Sequence, residues 1–205
     1  MHKDITGIIL SGGKSMRMGI NKSLLKIGNR YAIEITVDLM KSLFEKIILS
    51  TNAPEEYEFL NLSMVEDIFK DAGPLAGIHS ALQKSNTDKN FVISCDVPMM
   101  NKQMIEFFTE YNSDKEIILS RAAGYLQPLV GIYKKRLLPL IEKLLRENEN
   151  QSEEKRKHLS LHALIEMAET EIIDVTSLPF YSDRLFFNLN NKDDFEEINN
   201  EYKQY

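Results

Sequence analysis

The chain has 205 residues, of which 43% are hydrophobic and 27% are charged, and its formal net charge is -6. This length suits one domain with one sizeable core. The acidic balance argues against wide binding surfaces for nucleic acid or anionic membranes, because such surfaces must be basic to neutralise phosphates. Any positively charged site must therefore be local.

The single cysteine, Cys95, cannot form a disulfide within the chain. The first residues lack the basic, apolar and small-residue regions of a secretory signal. The sequence also contains no run of about 18 apolar residues, which a transmembrane helix requires. These features predict a cytoplasmic protein without a membrane span.

Strands and helices alternate along the first half. Short apolar, β-branched runs predict buried strands at residues 5–10, 46–50, 91–95 and 116–120. Apolar residues at intervals of three and four predict amphipathic helices at residues 32–44, 74–85 and 101–112. Near-continuous apolar strands between helices indicate a mostly parallel sheet covered on both faces, an α/β/α arrangement. Functional residues should then follow the carboxyl ends of the strands.

The second half is less regular, although it contains no internal repeat and no clear boundary between domains. The patterns predict strands at 127–133 and 171–176 and helices at 136–147, 158–169 and 192–205. The polar, charge-dense segment 148–158 predicts a loop. We therefore expect a single domain over residues 1–205.

A glycine pair, Gly12 and Gly13, follows the first predicted strand, which ends at Leu10 and Ser11. Glycines let the backbone turn and bring N–H groups close to an anion. Among the basic residues that follow, Arg17 can bind two phosphate oxygens at once, whereas Lys22 acts as a point charge. The spacing excludes the common P-loop and dinucleotide motifs. The pattern favours a phosphate-binding loop, and a plain glycine turn with solvated basic residues is the alternative.

Asp96 directly follows the apolar run FVISC and precedes Val97 and Pro98. It therefore stands where a buried strand leaves the sheet. Magnesium prefers oxygen ligands, often one or two carboxylates together with substrate phosphates. The position predicts a magnesium ligand, and an aspartate that only turns the chain is the alternative.

These segments together resemble the molybdenum cofactor guanylyltransferase (MobA-like) family of nucleotidyltransferases, which have a Rossmann-like α/β/α fold. The run LSGGKSMRMGINKSLL is similar to the family signature LAGGxSxRMGxDKxLL. The segments GPLAGIHSAL, ISCDVPMM, QPLVGIY and FFNLNNKDDFEE are similar to later family motifs in the same order. The resemblance covers nearly the whole chain. It implies a nucleotide-binding half at about 1–112 and an acceptor-side half at about 113–205.

The resemblance also implies roles for individual residues. Its GTP-binding positions correspond to Leu10, Ser11, Gly12, Gly13, Lys22, Asn52, Asp67 and Asp96. Asp67 can accept hydrogen bonds from the N1 and N2 donors of guanine. Asp96 corresponds to the metal ligand, and Arg17 and Lys22 join it as catalytic residues. Asn188 and Asn190 correspond to polar positions on the acceptor side.

One position departs from the family signature. The family commonly has an aspartate immediately before the loop lysine, whereas this chain has Asn21. An amide still accepts hydrogen bonds and turns the backbone, so we expect the loop geometry to persist while the local charge changes.

The resemblance implies that GMP passes from GTP to the phosphate of molybdopterin, with Mg²⁺ as cofactor and pyrophosphate as the leaving group. It also implies transient contacts with other proteins of molybdenum cofactor biosynthesis and with apo-molybdoenzymes. Two alternatives remain open from the sequence. One is another nucleotidyltransferase, either a molybdopterin cytidylyltransferase or a sugar-phosphate enzyme. The other is an adaptor that binds the nucleotide or cofactor without catalysis.

Two further patterns favour plain interpretations. His158 and His162 are four residues apart, but no third ligand accompanies them as a zinc site requires. The basic run 155–157 is typical of a solvated surface, with contact to the pterin phosphate as the alternative.

Overall fold

The computed structural model describes residues 1–12, 21–149, 161–189 and 192–202. Seven strands form one sheet in the order β5-β4-β1-β6-β8-β7-β9. Its strands are β1 (His2–Leu10), β4 (Phe44–Ser50), β5 (Ser63–Val65), β6 (Lys89–Ser94), β7 (Ile117–Ala122), β8 (Tyr125–Lys134) and β9 (Thr170–Asp174). A separate antiparallel hairpin consists of β2 (Lys26–Ile27) and β3 (Arg30–Tyr31).

All neighbouring strands of the large sheet are parallel except at β8, which is antiparallel to both β6 and β7. The strand predicted at 127–133 is thus present, but it runs against the others. Glycine is required where β8 pairs with β7, because a Cβ atom on Gly131 would lie 2.3 Å from the carbonyl oxygen of Ile118. The sheet is mostly parallel, which confirms the predicted fold class.

Six α-helices are described. They are α1 (Ala32–Leu43), α2 (Pro74–Lys84), α3 (Lys102–Glu110), α4 (Leu138–Glu149), α5 (Leu161–Met167) and α6 (Lys192–Tyr202). Three 3-10 turns span Lys22–Leu24, Pro54–Leu60 and Lys135–Leu137. Helices α1 and α3 pack on one face of the sheet, and α2, α4 and α5 pack on the other. Helix α6 packs against the small hairpin through Ile198 and Ile27.

Most predicted elements appear with shifted ends. Helix α1 ends one residue early because Phe44 already belongs to β4, and Asn101 caps α3 by accepting the Met104 N–H rather than joining the helix. Residues 148 and 149, predicted as loop, are the last residues of α4. The short edge strand β5 and the small hairpin were not predicted, because two or three residues carry too little periodic signal. The predicted loop at 150–158 lies outside the described residues.

Within the part of the chain that the structure describes, no helix has both the length and the apolar character needed to cross a bilayer.

Candidate functional site

The candidate site lies at one edge of the large sheet, where β5, β4, β1 and β6 end side by side. The backbone register places Leu10 beside Ser50 and also beside Ser94, while Ser50 lies beside Val65. Parallel strands deliver their carboxyl ends to the same edge, so the segments that follow these strands meet there. This edge is where the sequence predicted the functional residues.

The segments after β1 and β6, which carry the glycine pair and Asp96, lie next to each other. The Ser11 N–H donates to the Ser50 carbonyl at 2.9 Å, and the Cys95 N–H donates to the Leu10 carbonyl at 3.0 Å. Ser11 is buried, Gly12 is exposed, and Asp96 is half-buried. The start of the predicted phosphate loop and the predicted metal ligand therefore lie side by side at this edge of the sheet.

The Asp96 carboxylate has an unsatisfied oxygen. Its Oδ1 atom is buried and has no hydrogen-bond partner among the described residues. A buried carboxylate oxygen without a partner is costly, which makes it a fitting ligand for a hard cation. The described residues contain no cluster of three His, Cys, Asp or Glu side chains that could hold a metal by themselves. A cation at Asp96 would therefore need further ligands of another kind, such as phosphate oxygens of a substrate.

Cys95, next to Asp96, is half-buried and unsuited to nucleophilic chemistry. Desolvation, reinforced by the negative charge of Asp96, raises the pKa of its thiol to about 12. Because the thiolate is the reactive form, the raised pKa argues against a nucleophilic role for this cysteine.

Asn52 and Asp67 form a reciprocal pair between the segments after β4 and β5. The Asn52 amide donates to Asp67 Oδ2 at 2.7 Å, and the Asp67 N–H donates to Asn52 Oδ1 at 3.0 Å. Burial raises the pKa of the Asp67 carboxyl, although the Asn52 hydrogen bond and the nearby Lys70 ammonium oppose the shift. The pair thus presents an oriented carboxylate at the far end of the site from Asp96.

Lys22 lies in a 3-10 turn that is bonded to the end of β1 through the buried Tyr57 hydroxyl. The Ser11 hydroxyl donates to Tyr57 Oη at 2.8 Å, and the Asn21 amide donates to the same oxygen at 2.7 Å. Ser23 Oγ lies 2.7 Å from it. We call Ser11, Asn21, Ser23 and Tyr57 the tyrosine cluster.

The departure from the family signature at Asn21 has a local explanation. The Asn21 amide donates to Glu56 Oε2 at 2.5 Å, while its carbonyl oxygen caps the turn by accepting the Ser23 N–H at 3.2 Å. An ionised aspartate could not donate to Glu56 and would place two carboxylates together. Asn21 therefore suits a chain with glutamate at position 56.

A cavity of about 390 Å³ opens on the other side of β6 from the Asn52 and Asp67 pair. Its lining includes Gln127 from β8 and the aromatic side chains of Tyr181 and Phe187. Asn188 also lines it, and the neighbouring Leu189 N–H donates to the Asp96 carbonyl at 2.9 Å. The cavity is thus joined to the Asp96 segment.

The structure brings together most of the residues that the sequence singled out. Leu10, Ser11, Gly12, Lys22, Asn52, Asp67, Asp96 and Asn188 all belong to segments at this edge. Gly13, Arg17 and Asn190 lie outside the described residues, as do the basic run 155–157 and His158. His162 is exposed on α5.

Sequence reasoning missed Tyr57 and the cavity residues Tyr181 and Phe187. Tyr57 reaches the site from a 3-10 turn 46 residues beyond Ser11, and no motif marks it. Gln127 had a signal, since it opens the quoted segment QPLVGIY, but it was not assigned a role.

The family model described as "MobA-like NTP transferase domain" matches residues 7–163, which include the loop, Asn52, Asp67 and Asp96. The chain belongs to the MobA-like NTP transferase family. This confirms the family resemblance and the nucleotidyltransferase class that the sequence indicated.

Curated relatives and solved structures agree with this membership. The probable molybdenum cofactor guanylyltransferase of Clostridium perfringens is 35% identical over 93% of both chains. The corresponding protein of Carboxydothermus hydrogenoformans is 32% identical over 96% of this chain and 95% of its own. These relatives match the MobA-like chain over nearly its full length.

Two solved structures share the fold at low identity. Molybdopterin-guanine dinucleotide biosynthesis protein A from Archaeoglobus fulgidus has a TM-score of 0.80 at 18% identity and covers 98% of this chain and 100% of its own. The 4-diphosphocytidyl-2C-methyl-D-erythritol synthase from Anaerococcus prevotii has a TM-score of 0.70 at 14% identity, with 99% and 97% covered. The MobA-like fold is therefore not restricted to enzymes with one named product.

Proposed function

We propose that this protein is a molybdenum cofactor guanylyltransferase, which transfers GMP from GTP to the phosphate of molybdopterin and releases pyrophosphate. Its curated relatives carry that name at 32–35% identity over nearly the whole chain. The observation that carries the proposal is structural. The start of the glycine loop follows β1, and Asp96, whose carboxylate has an unsatisfied oxygen, follows the adjacent strand β6.

GTP binds along the strand ends from β5 to β6 in this proposal. The Asn52 and Asp67 pair receives guanine, because a carboxylate accepts from its N1 and N2 donors whereas adenine lacks that arrangement. The backbone from Leu10 to Gly13 contacts the phosphates, and Lys22 and Arg17 supply positive charge. The order of the strand ends supports this placement of GTP, because Asp67 follows the edge strand β5 and Ser11 follows β1, two strands away.

Asp96 would hold Mg²⁺ together with triphosphate oxygens, since its buried oxygen lacks another partner. When bound, the ion neutralises phosphate charge during nucleotidyl transfer. Asp96 supplies the fixed ligand, and its segment is anchored by the hydrogen bond from Leu189.

Molybdopterin occupies the cavity beyond β6, which Asn188 lines, and the family resemblance assigns Asn190 to the same acceptor. Aromatic walls suit a flat pterin ring, and the cavity lies on the opposite side of Asp96 from the nucleotide pair. The proposal also includes transient contacts with other cofactor-biosynthesis proteins and with apo-molybdoenzymes, because the product must be delivered to the enzymes that use it.

The reaction needs alignment and charge stabilisation rather than a covalent enzyme intermediate. A molybdopterin phosphate oxygen attacks the α-phosphorus of GTP, the bond to the bridging β-phosphate oxygen breaks, and pyrophosphate leaves with the bonding electrons. The attacking phosphate is already ionised, so no general base is required. Lys22, Arg17 and the loop N–H groups stabilise the charge that develops on the phosphates.

The deciding experiment measures pyrophosphate release from purified protein with Mg²⁺, molybdopterin and each nucleoside triphosphate in turn. We expect release with GTP and a guanine dinucleotide product. Equal or faster release with CTP would replace this proposal by the cytidylyl alternative. Binding without release for every nucleotide would identify an adaptor.

Two substitutions test the assigned residues. Asp96→Asn and Lys22→Ala should each lower kcat/KM by roughly a hundredfold, as loss of a transition-state charge contact does. Asp88→Asn, at the opposite end of β6, and Lys84→Ala, at the exposed end of α2, are the matched controls and should retain activity. Unchanged rates in both site variants would remove Asp96 and Lys22 from the catalytic site.

A further inference from the structure

The Tyr57 hydroxyl contacts three polar side chains from two separate segments. Only 2% of Tyr57 is exposed, and its ring packs in the core beneath the site. The hydroxyl contacts Ser11 at the end of β1 and both Asn21 and Ser23 in the turn that contains Lys22. Phenylalanine would fill the same core space, so packing alone does not require this oxygen.

The hydrogen bonds of the tyrosine cluster have a defined direction. Asn21 Oδ1 accepts the Ser23 N–H, which fixes the amide so that its Nδ2 donates to Tyr57. Ser23 Oγ also donates to Asn21 Oδ1 at 2.7 Å. Because Tyr57 Oη already accepts from Ser11 and Asn21, its own proton goes to Ser23. Each hydroxyl and the amide are thereby used, and the cluster is rigid.

Lys22 lies between the two turn residues that Tyr57 holds. Asn21 precedes it and Ser23 follows it, and both are bonded to the same phenol. The Ser11 contact ties that phenol to the end of β1, from which the glycine pair continues. The backbone of Lys22 is therefore held at a defined place relative to the start of the phosphate loop.

We infer that Tyr57 is a positioning residue for Lys22, acting through Asn21 and Ser23 without touching substrate. The inference rests on the proposed contact of Lys22 with nucleotide phosphate. Misplacement of a charged group weakens its interaction steeply, because alignment is what the folded site supplies. Loss of the Tyr57 hydroxyl should therefore weaken MgGTP binding even when the fold is intact.

The test variant is Tyr57→Phe, which removes one oxygen and leaves the ring. Its matched control is Tyr133→Phe, since Tyr133 is equally buried and donates its hydroxyl to the Pro128 carbonyl away from Lys22. MgGTP binding is measured by calorimetry without acceptor. We expect Tyr57→Phe to raise Kd about fivefold to tenfold, in line with one lost hydrogen bond, and Tyr133→Phe to leave it within about twofold. Ser23→Ala, which deletes the phenol's acceptor, should reproduce the Tyr57→Phe effect.

A double-variant cycle separates positioning from general loss of structure. In a Lys22→Ala background, Tyr57→Phe should change Kd by less than about twofold, because Tyr57 can no longer affect phosphate binding through Lys22. Wild-type Kd in both Tyr57→Phe and Ser23→Ala would overturn the inference, and so would an undiminished effect without Lys22. If wild-type protein binds MgGTP but releases no pyrophosphate, the proposed transferase function fails while the binding cycle still tests Tyr57.

Discussion

Asp67 shows how the burial of one carboxyl group makes stability depend on pH. Burial raises the pKa of its carboxyl above the ordinary value of 3.8, so the folded protein binds its proton more tightly than the unfolded chain does. Stability from this group is therefore greatest below about pH 3.8 and is lost as pH rises through the raised pKa. Ionisation of this partly desolvated carboxyl group therefore lowers the stability of the folded protein as the pH rises.

We predict that Asp67→Asn raises the free energy of unfolding at pH 7 and lowers GTP affinity about tenfold, the usual effect of losing a hydrogen bond to a charged group. The gain in stability should shrink as the pH falls below the range in which Asp67 titrates, because both proteins then carry a neutral side chain. Urea unfolding between pH 3 and 7, together with GTP titration, checks both effects.

Asp38→Asn, at an exposed residue of α1 far from the pair, provides the control for this substitution. If Asp67→Asn kept full GTP affinity, the guanine-binding role of Asp67 would be wrong.

Helix α2 packs its first turns directly against the strand ends. A Cβ atom on Gly77 would lie 2.9 Å from Ser50 Oγ and 3.3 Å from a methyl carbon of Leu10. It would also lie 3.6 Å from Asp67 Oδ1. Glycine at this position lets the helix approach the sheet closely enough to form one wall of the site.

Gly77→Ala should therefore shift α2 or Ser50 and cost about 1–2 kcal/mol of unfolding free energy, as overpacking does, despite the better helix propensity of alanine. We also expect weaker GTP binding, because the displaced atoms adjoin Asp67. Chemical denaturation and nucleotide titration measure the two effects. Gln83→Ala, on the exposed part of α2, should leave the free energy of unfolding and GTP binding unchanged. If Gly77→Ala also left both unchanged, the expected overpacking at Gly77 would be wrong.

The topology of the whole sheet determines where the end of β1, with its glycine pair, and Asp96 meet. From β1 the chain goes to β4 and β5 on one side and then returns to β6 on the other side. Ligands in open α/β sheets bind at such reversals, beyond the carboxyl ends of the strands. The glycine pair follows β1 and Asp96 follows β6, so the reversal brings loop and carboxylate together.

A ligand that binds this crevice in the folded state alone must stabilise the molecule. At a MgGTP concentration about a hundredfold above Kd, the expected gain is roughly 2.7 kcal/mol, or an increase in Tm of about 5–10 °C for a chain of this size. Differential scanning fluorimetry with GTP, CTP and ATP, each with and without Mg²⁺, measures it.

We expect GTP to give the largest increase and Asp96→Asn to lose the Mg²⁺-dependent part. An unchanged Tm with every nucleotide would contradict a nucleotide site at this edge.

Local pattern was enough to predict six of the seven strands of the large sheet. Ile8, Ile9, Val92 and Ile93 form continuous apolar runs because both faces of the sheet are covered. Ser11 and Asp96 were recognisable because they stand where such runs end. The position of Asp96 also predicted a magnesium ligand, whereas Asn52 and the GTP-binding roles came from the family resemblance, which depends on ordered motifs rather than on contacts.

Contacts between distant segments could not be predicted in the same way. Tyr57 joins Ser11 across 46 positions and Ser23 across 34, and its surrounding sequence PEEYEFL has no feature that names those partners. The antiparallel direction of β8 and the cavity beside it depend likewise on how the second half folds back beside β6. Residues at a strand end are marked by the strand that precedes them, whereas a residue such as Tyr57, which hydrogen-bonds to distant segments, acquires its partners only when the chain folds.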